Sequence, residues 1–163
     1  MANKYLKAKN CEEAIHFSQL HSDFSYISGG TDLMVNKYQK NNTSKTLIDL
    51  SDISEMKKLQ LNEDIVIIGS AITLSELEKN NELISLFPSL NKAIKSIASP
   101  LIRNSATIGG NLLCDNRCMY YNQSEWWREA IGNCLKCDGD ICIASGGKRN
   151  CFAKMVSDIA PVL

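Results

Sequence analysis

The chain carries no net charge. Eighteen Lys and Arg residues cancel eighteen Asp and Glu over 163 positions, so the overall balance points to neither nucleic acid nor an anionic membrane as a partner. No apolar run approaches the roughly 20 residues that span a bilayer. The opening Met1-Ala2-Asn3-Lys4-Tyr5-Leu6 lacks the apolar core of a secretory signal. No internal repeat or low-complexity segment occurs, and 40–45 is a polar loop between elements. These absences leave a soluble, cytoplasmic globular protein whose specificity resides in local sites. With 44% hydrophobic residues, the chain suffices for one ordinary domain or two small lobes.

Cysteine is what the sequence has in quantity, and its placement is uneven. Of seven, only Cys11 precedes residue 113; the others are Cys114, Cys118, Cys134, Cys137, Cys142 and Cys151. In a reducing cytoplasm, metal explains such a cluster better than disulfides. Cys118, Cys134, Cys142 and Cys151 follow the spacing C-x15-C-x7-C-x8-C, which reads most economically as an iron–sulfur ligand set. Gly139, Ala144, Gly146 and Gly147 around them leave room for backbone N–H bonds to sulfur. A zinc site is the competing account, with Cys134-Leu135-Lys136-Cys137 as one pair and Cys114 and Cys118 as the other. Redox-active or incidental thiols are a third. In the iron–sulfur assignment Cys114 and Cys137 are spare. Tyr120, Tyr121, Trp126 and Trp127 form the densest aromatic patch, either ordinary core or a shield over a cluster. Arg103 and Arg128 read first as solvated or salt-bridged surface groups, with neutralisation of cofactor charge as the alternative, and His16 and His21 receive no role.

Local patterns give the scaffold. Asn10 and Glu13 make a capping box for a helix to about Leu20, with Ala14, Ile15, Phe17 and Leu20 as its buried face. A strand over Phe24 to Ser28 runs into Gly29-Gly30, after which Thr31 and Asp32 cap a helix over Leu33 to Lys40; a further strand at Thr46 to Leu50 completes a β-α-β unit. Leu59 to Leu61 and Ile65 to Gly69 flank the turn Asn62-Glu63-Asp64 as an antiparallel hairpin. Thr73 and Glu76 form a second capping box. Leu90, Ala93, Ile94, Ile97 and Ala98 recur at helical spacing before Pro100. The pattern places an N-terminal lobe at 1–57 and a second lobe at 58–163, with a cysteine-rich insert at 114–151.

Two Gly-Gly loops interrupt these elements. Ser28-Gly29-Gly30-Thr31-Asp32 lies between a strand and a helix, where unpaired N–H groups favour a pyrophosphate. Taken alone it reads more readily as a tight turn that needs glycine. The second, Thr107-Ile108-Gly109-Gly110-Asn111, combines glycine backbone with Thr and Asn side chains, and two such loops from different lobes suit a nucleotide diphosphate.

Together, Gly-Gly-Thr-Asp-Leu at 29–33, Ile-Gly-Ser-Ala-Ile-Thr-Leu-Ser-Glu-Leu at 68–77, Thr-Ile-Gly-Gly-Asn-Leu at 107–112 and Ser-Asp-Ile-Ala-Pro at 157–161 resemble the FAD-binding medium subunit of molybdenum hydroxylases, the group of xanthine dehydrogenase and carbon monoxide dehydrogenase. Within it, the insert from Cys118 to Cys151 is similar to the extra segment of the 4-hydroxybenzoyl-CoA reductase beta subunit, which carries a 4Fe-4S cluster. The resemblance implies a two-lobed α+β fold and FAD held by the two loops and Asp158. It also implies Cys118, Cys134, Cys142 and Cys151 as cluster ligands. Electrons would pass between FAD, a 2Fe-2S small subunit and a molybdopterin-containing large subunit, with a ferredoxin-type donor for reductive work. Substrate chemistry then belongs to the large subunit, and this chain supplies no catalytic acid, base or nucleophile. The family's medium subunit continues beyond Pro161-Val162-Leu163, so the resemblance implies a truncated chain. A zinc-stabilised interaction module and an inactive fragment remain the alternatives.

Overall fold

The computed structural model describes residues 4–163; Met1 to Asn3 of the N-terminal segment considered above lie outside the described residues. The chain divides into two compact units. One comprises the chain up to Thr31, Ser44–Leu113 and Ser157–Leu163, and the other comprises Asp32–Thr43 and Cys114–Val156.

The first unit holds two sheets. Strands β1 (Lys4–Lys7), β2 (Phe24–Ile27) and β3 (Thr46–Asp49) form a parallel sheet in the order β1-β3-β2. All four residues of β3 are buried, as the central strand of a covered sheet requires. Helix α1 (Cys11–Leu20) packs Ala14 with Ala8, Ile48 and Ile53. Half of the expected box forms: Asn10 Oδ1 accepts from Glu13 N–H at 2.8 Å, while the Glu13 carboxylate accepts from Lys9 N–H at 2.7 Å and not from Asn10. The expected buried face does not: Ile15 and Leu20 are exposed, and only Ala14 is fully covered, with Phe17 partly so. β1 was not legible, because a four-residue strand containing two lysines becomes a strand only through its pairing with β3.

β4 (Leu59–Leu61) and β5 (Val66–Ile68) form the expected antiparallel hairpin. Its apolar face, Leu59, Leu61, Val66 and Ile68, packs against a second core. That core draws on α3 (Leu74–Lys79), α4 (Asn81–Leu86), α5 (Pro88–Ser96) and α7 (Ile108–Leu112), whereas α6 (Pro100–Arg103) exposes its apolar residues. Leu74, Leu77, Leu83, Ile94 and Ile159 are sealed in it, each contributing about 1.5–3 kcal/mol. The Thr73–Glu76 capping box is complete. Arg103 is not a surface group: it is buried, donating to Glu78 Oε2 at 2.9 Å and to the Ile97 carbonyl at 2.9 Å.

The parallel sheet also holds a titrating pair. The Tyr5 hydroxyl donates to Asp49 Oδ2 at 2.5 Å, and Ser51 donates to the same carboxylate from its N–H and its hydroxyl. That bond to Asp49, reinforced by burial, pushes the Tyr5 hydroxyl from 10.0 up to about 12. Burial alone would raise Asp49, but the Tyr5 and Ser51 donors hold it below its ordinary value. A raised tyrosine contributes stability in full below its unfolded value and loses it as pH rises through the folded one; a lowered carboxyl loses its contribution as acid is added below about 4. Urea midpoints recorded from pH 8 to 12 should therefore fall for the wild type between 10.0 and about 12, and Tyr5→Phe should remove that part of the decline.

Within the second unit, polar contacts tie its two chain segments together; among the described residues neither apolar cluster includes a member of it. Helix α2 (Leu33–Tyr38) begins at Asp32, whose side chain makes no cap bond. Its carboxylate instead pairs with Arg117 and accepts from Asn36 Nδ2 at 2.9 Å, so the expected Asp32 cap is replaced by an anchor. Helix α8 (Glu125–Ile131) carries Arg128, which is buried rather than solvated. Its guanidinium donates to the carbonyls of Gln39 at 3.1 Å, Lys40 at 3.4 Å and Gln123. Arg117 and Lys154 exchange two backbone bonds of 2.9 Å. No helix among the described residues is long and apolar enough to cross a membrane.

Candidate functional site

The first Gly-Gly loop sits at the carboxyl end of β2 and turns at Gly30, whose φ is +70°. Glycine is needed there because L side chains are strained at positive φ. Gly29 is needed for a different reason: a Cβ on it would lie 1.8 Å from the Ser105 carbonyl oxygen. The N–H groups of Gly29, Gly30 and Thr31 donate to no acceptor among the described residues. Such a run of free amides on a left-handed turn is an anion cradle.

The second loop departs from the expectation of bare main-chain donors. Its amides are committed within the protein: Ile108 N–H to Ile72 O at 3.0 Å, Gly109 N–H to Ser70 O at 2.9 Å, and Asn111 N–H to Thr107 O at 2.9 Å. Gly110 N–H goes to Thr107 Oγ1 at 3.2 Å, making Thr107 the cap of α7. Gly109 lets the backbone come against Ser70, since a Cβ would meet Ser70 Cβ and O at 2.8 Å. The Asn111 amide oxygen accepts from Ser157 Oγ at 2.9 Å and Ile159 N–H at 3.3 Å. The second loop and the Ser-Asp-Ile-Ala-Pro segment are thus fastened together. Asp158, between the two anchored residues, is exposed.

Ser28 and Gly29 share an open cleft of about 580 Å³ with Asn104, Ser105 and Thr107, a volume in the range of about 300–1,000 Å³ usual for cofactor sites. Ser51, Lys57, Ala71, Thr73, Ser75, Glu76 and Lys79 complete its wall. The two lysines were missed in the sequence, where neither carries a motif. Both lie close enough to Glu76 to help lower its carboxyl, after the larger effect of the Thr73 hydroxyl and N–H bonds. Hydroxyls, free amides and two ammonium groups fit a phosphorylated cofactor.

In the second unit, Cys118, Cys134, Cys142 and Cys151 all line one cavity, walled further by Tyr120, Tyr121, Leu135, Lys136, Ile143, Ala144 and Ala153. Cys114 and Cys137 do not line it. The Ser145 hydroxyl, joined by the N–H groups of Phe152, Ser145 and Ala144, holds the Cys142 thiol below its ordinary value against desolvation. Ala153 N–H reaches Cys151 Sγ at 3.4 Å. Donors of this kind favour thiolate ligands. Lys136 is held over the Tyr121 ring, 4.4 Å from its centroid, by Asp115 Oδ1 at 2.5 Å and Asn116 O at 2.8 Å. Of the aromatic patch, Tyr121 is buried, Trp127 stands 6.5 Å from Tyr120 between centroids, and Trp126 is exposed.

A single zinc ion with thiolates at about 2.3 Å needs sulfurs roughly 3.8 Å apart. Cys134 and Cys137 stand at 3.6 Å. No three His, Cys, Asp or Glu side chains converge on one ion among the described residues. Cys118, Cys134, Cys142 and Cys151 share one cavity wall, and thiolate donors of this kind serve zinc and iron–sulfur ligation alike.

A parallel three-stranded lobe, an antiparallel hairpin packed on helices and a free-amide glycine turn beside a hydroxyl-lined cleft define a nucleotide-cofactor-binding protein of mixed α and β structure. Residues 1–163 match the family described as FAD binding domain in molybdopterin dehydrogenase, and the chain belongs to that family. It is 32% identical over 109 residues to the xanthine dehydrogenase FAD-binding subunit of Escherichia coli O157:H7, covering 66% of this chain and 37% of that protein. It is 31% identical over 111 residues to the nicotinate dehydrogenase FAD-subunit of Eubacterium barkeri, covering 67% and 38%. Among solved structures, carbon monoxide dehydrogenase from Hydrogenophaga pseudoflava aligns with a TM-score of 0.65 at 29% identity, covering 68% of this chain and 39% of that one. The chain therefore spans under two fifths of the curated relatives it matches.

Proposed function

We propose that this chain is the FAD-binding part of the flavin subunit of a molybdenum hydroxylase-type oxidoreductase of the 4-hydroxybenzoyl-CoA reductase kind, and that its 114–151 segment holds a 4Fe-4S cluster. The observation that carries this reading is the shared cavity of Cys118, Cys134, Cys142 and Cys151. It matches the cysteine spacing, and Cys114 and Cys137 stay outside it. When bound, FAD couples two-electron to one-electron chemistry and a cluster stores single electrons. The partners are then a molybdopterin-containing large subunit and a 2Fe-2S small subunit, with a ferredoxin-type donor, in a cytoplasmic setting.

The chain's own residues bind, orient and exclude water. The amides of Gly29, Gly30 and Thr31 hold the FAD diphosphate, with Ser28 beside them, and Lys57 and Lys79 offset its charge. Thr107 stands in the wall of the cleft, and Asn111, bonded to Ser157 and Ile159, fixes the turn that presents Asp158 to the cofactor. In the second unit, the N–H and hydroxyl donors around Cys142 and Cys151 stabilise thiolates. Tyr121, Leu135 and Ile143 keep water from them, and Lys136 places positive charge at the cavity wall.

Anaerobic reconstitution with iron, sulfide and FAD tests the whole reading. The expected product carries flavin together with the broad thiolate-to-iron absorption; colourless protein with one zinc per chain would overturn it. A second measurement addresses the cleft. Lys57→Ala combined with Lys79→Ala should weaken FAD binding, followed by flavin fluorescence, by about tenfold and flatten its salt dependence. Unchanged affinity at low salt would remove the lysines from the site.

A further inference from the structure

The spare cysteine of the C-x-x-C unit is not idle. Cys137 Sγ lies 3.6 Å from Cys134 Sγ, so Cys134 lines the thiol cavity and also touches a thiol outside it. The backbone holds the pair together. Cys134 opens a single-turn helix, Leu135–Cys137, with its carbonyl accepting from Cys137 N–H at 2.8 Å and Gly139 N–H at 2.9 Å. Its own N–H donates to Cys137 Sγ at 3.3 Å. The turn closes through Asp138 at φ +63° and through Gly139, where a Cβ would lie 1.8 Å from the Asn133 carbonyl oxygen. A disulfide needs the sulfurs at about 2.0 Å, and this single turn already holds the two in contact at 3.6 Å.

We propose that Cys134 and Cys137 form a reversible disulfide in the cluster-free chain, withdrawing Cys134 from the ligand set under peroxide and returning it on reduction. The consequence for metal loading rests on the cluster reading; the bond itself does not. Cys137 is the more accessible of the two and Cys134 is buried, so the oxidant meets Cys137 first. The Cys137 thiolate displaces hydroxide from hydrogen peroxide and becomes a sulfenic acid. The Cys134 thiolate then attacks that sulfur and expels a second hydroxide. Two thiols lose two electrons and two protons, and one peroxide becomes two waters. Sealing Cys134 in this way also protects a cavity-wall thiol from irreversible oxidation while the site awaits iron.

The test uses the full, cluster-free chain treated with stoichiometric hydrogen peroxide, then alkylated and mapped by peptide mass. The Cys134–Cys137 peptide should lose the mass of two hydrogens and escape alkylation, while Cys118, Cys142 and Cys151 are alkylated; dithiothreitol should reverse the change. Cys137→Ser should leave Cys134 outside any disulfide. The oxidised wild type should take up no iron until reduced. Pairing of Cys134 with Cys118 or Cys142, or uniform oxidation of all the thiols, would overturn the proposal. If the disulfide forms but the reduced chain binds no iron, the cluster reading fails and the disulfide stands. Normal iron uptake without a Cys134–Cys137 bond sinks the disulfide alone.

Discussion

On the proposed cluster reading, Cys142→Ser should strip the second unit of iron. The residue is buried at the cavity wall and receives the Ser145 hydroxyl together with three backbone N–H groups, an environment that stabilises a thiolate far better than a serine hydroxyl. A serine there keeps the volume and loses the soft donor that iron–sulfur chemistry requires. Losing an outer-shell partner costs a metal site about 10–100-fold in affinity, and losing a ligand should exceed that. Iron and sulfide per chain, measured after anaerobic reconstitution, should fall from four-iron stoichiometry toward background. Cys114→Ser and Cys137→Ser serve as matched controls and should retain the cluster, because neither lines the cavity. Equal loss in Cys137→Ser would move the ligand set to the C-x-x-C pair and revive a zinc-type site. FAD binding should be unchanged in all three variants, since the Gly29–Thr31 cradle belongs to the other unit.

The features legible in the sequence were those fixed by spacing or by contacts a few residues apart. The caps at Asn10 and Thr73 and the hairpin around 62–64 are such cases, because one side chain and one nearby amide decide them. The grouping of the cysteine quartet was legible for another reason: thiols crowded into one stretch of chain come together locally, and the four positions line one cavity. What could not be read depends on partners far along the chain. The second loop's amides are taken by Ser70 and Ile72, a pairing that nothing near Gly109 foretells. The burial of Arg103 and Arg128 depends on carbonyls that the fold brings to them. Lys57 and Lys79 carry no motif and become site residues only because their elements border the same cleft. Ile15 and Leu20 fit the helical period, yet the sheet beneath α1 is too narrow to cover them.

Gly29→Ala should produce the largest loss in the first unit. The added Cβ would stand 1.8 Å from the Ser105 carbonyl oxygen, 2.6 Å from its carbon and 3.2 Å from Ala106 N. All three are main-chain atoms, so no side-chain rotation relieves the clash and the two loops must separate. Ala106 is buried in the larger core, and its carbonyl accepts from Leu74 N–H at 2.8 Å, so the Ser105 side of the contact is fixed. The cost should reach or exceed the about 1–3 kcal/mol typical of overpacked sites. It appears as a lower Tm together with loss of FAD binding, because the moving loop carries the free amides of the cradle. Gly110→Ala is the graded comparison: its Cβ would meet only Thr107 Oγ1, at 3.0 Å, and should weaken the α7 cap with a smaller loss. Gly147→Ala, whose nearest neighbour would be Ser145 Oγ at 3.4 Å, should leave both Tm and flavin affinity unchanged. If Gly29→Ala bound FAD with wild-type affinity and melted at the wild-type temperature, the close approach of the two loops would not exist in solution. The cleft built from that approach would then lose its standing as the cofactor site.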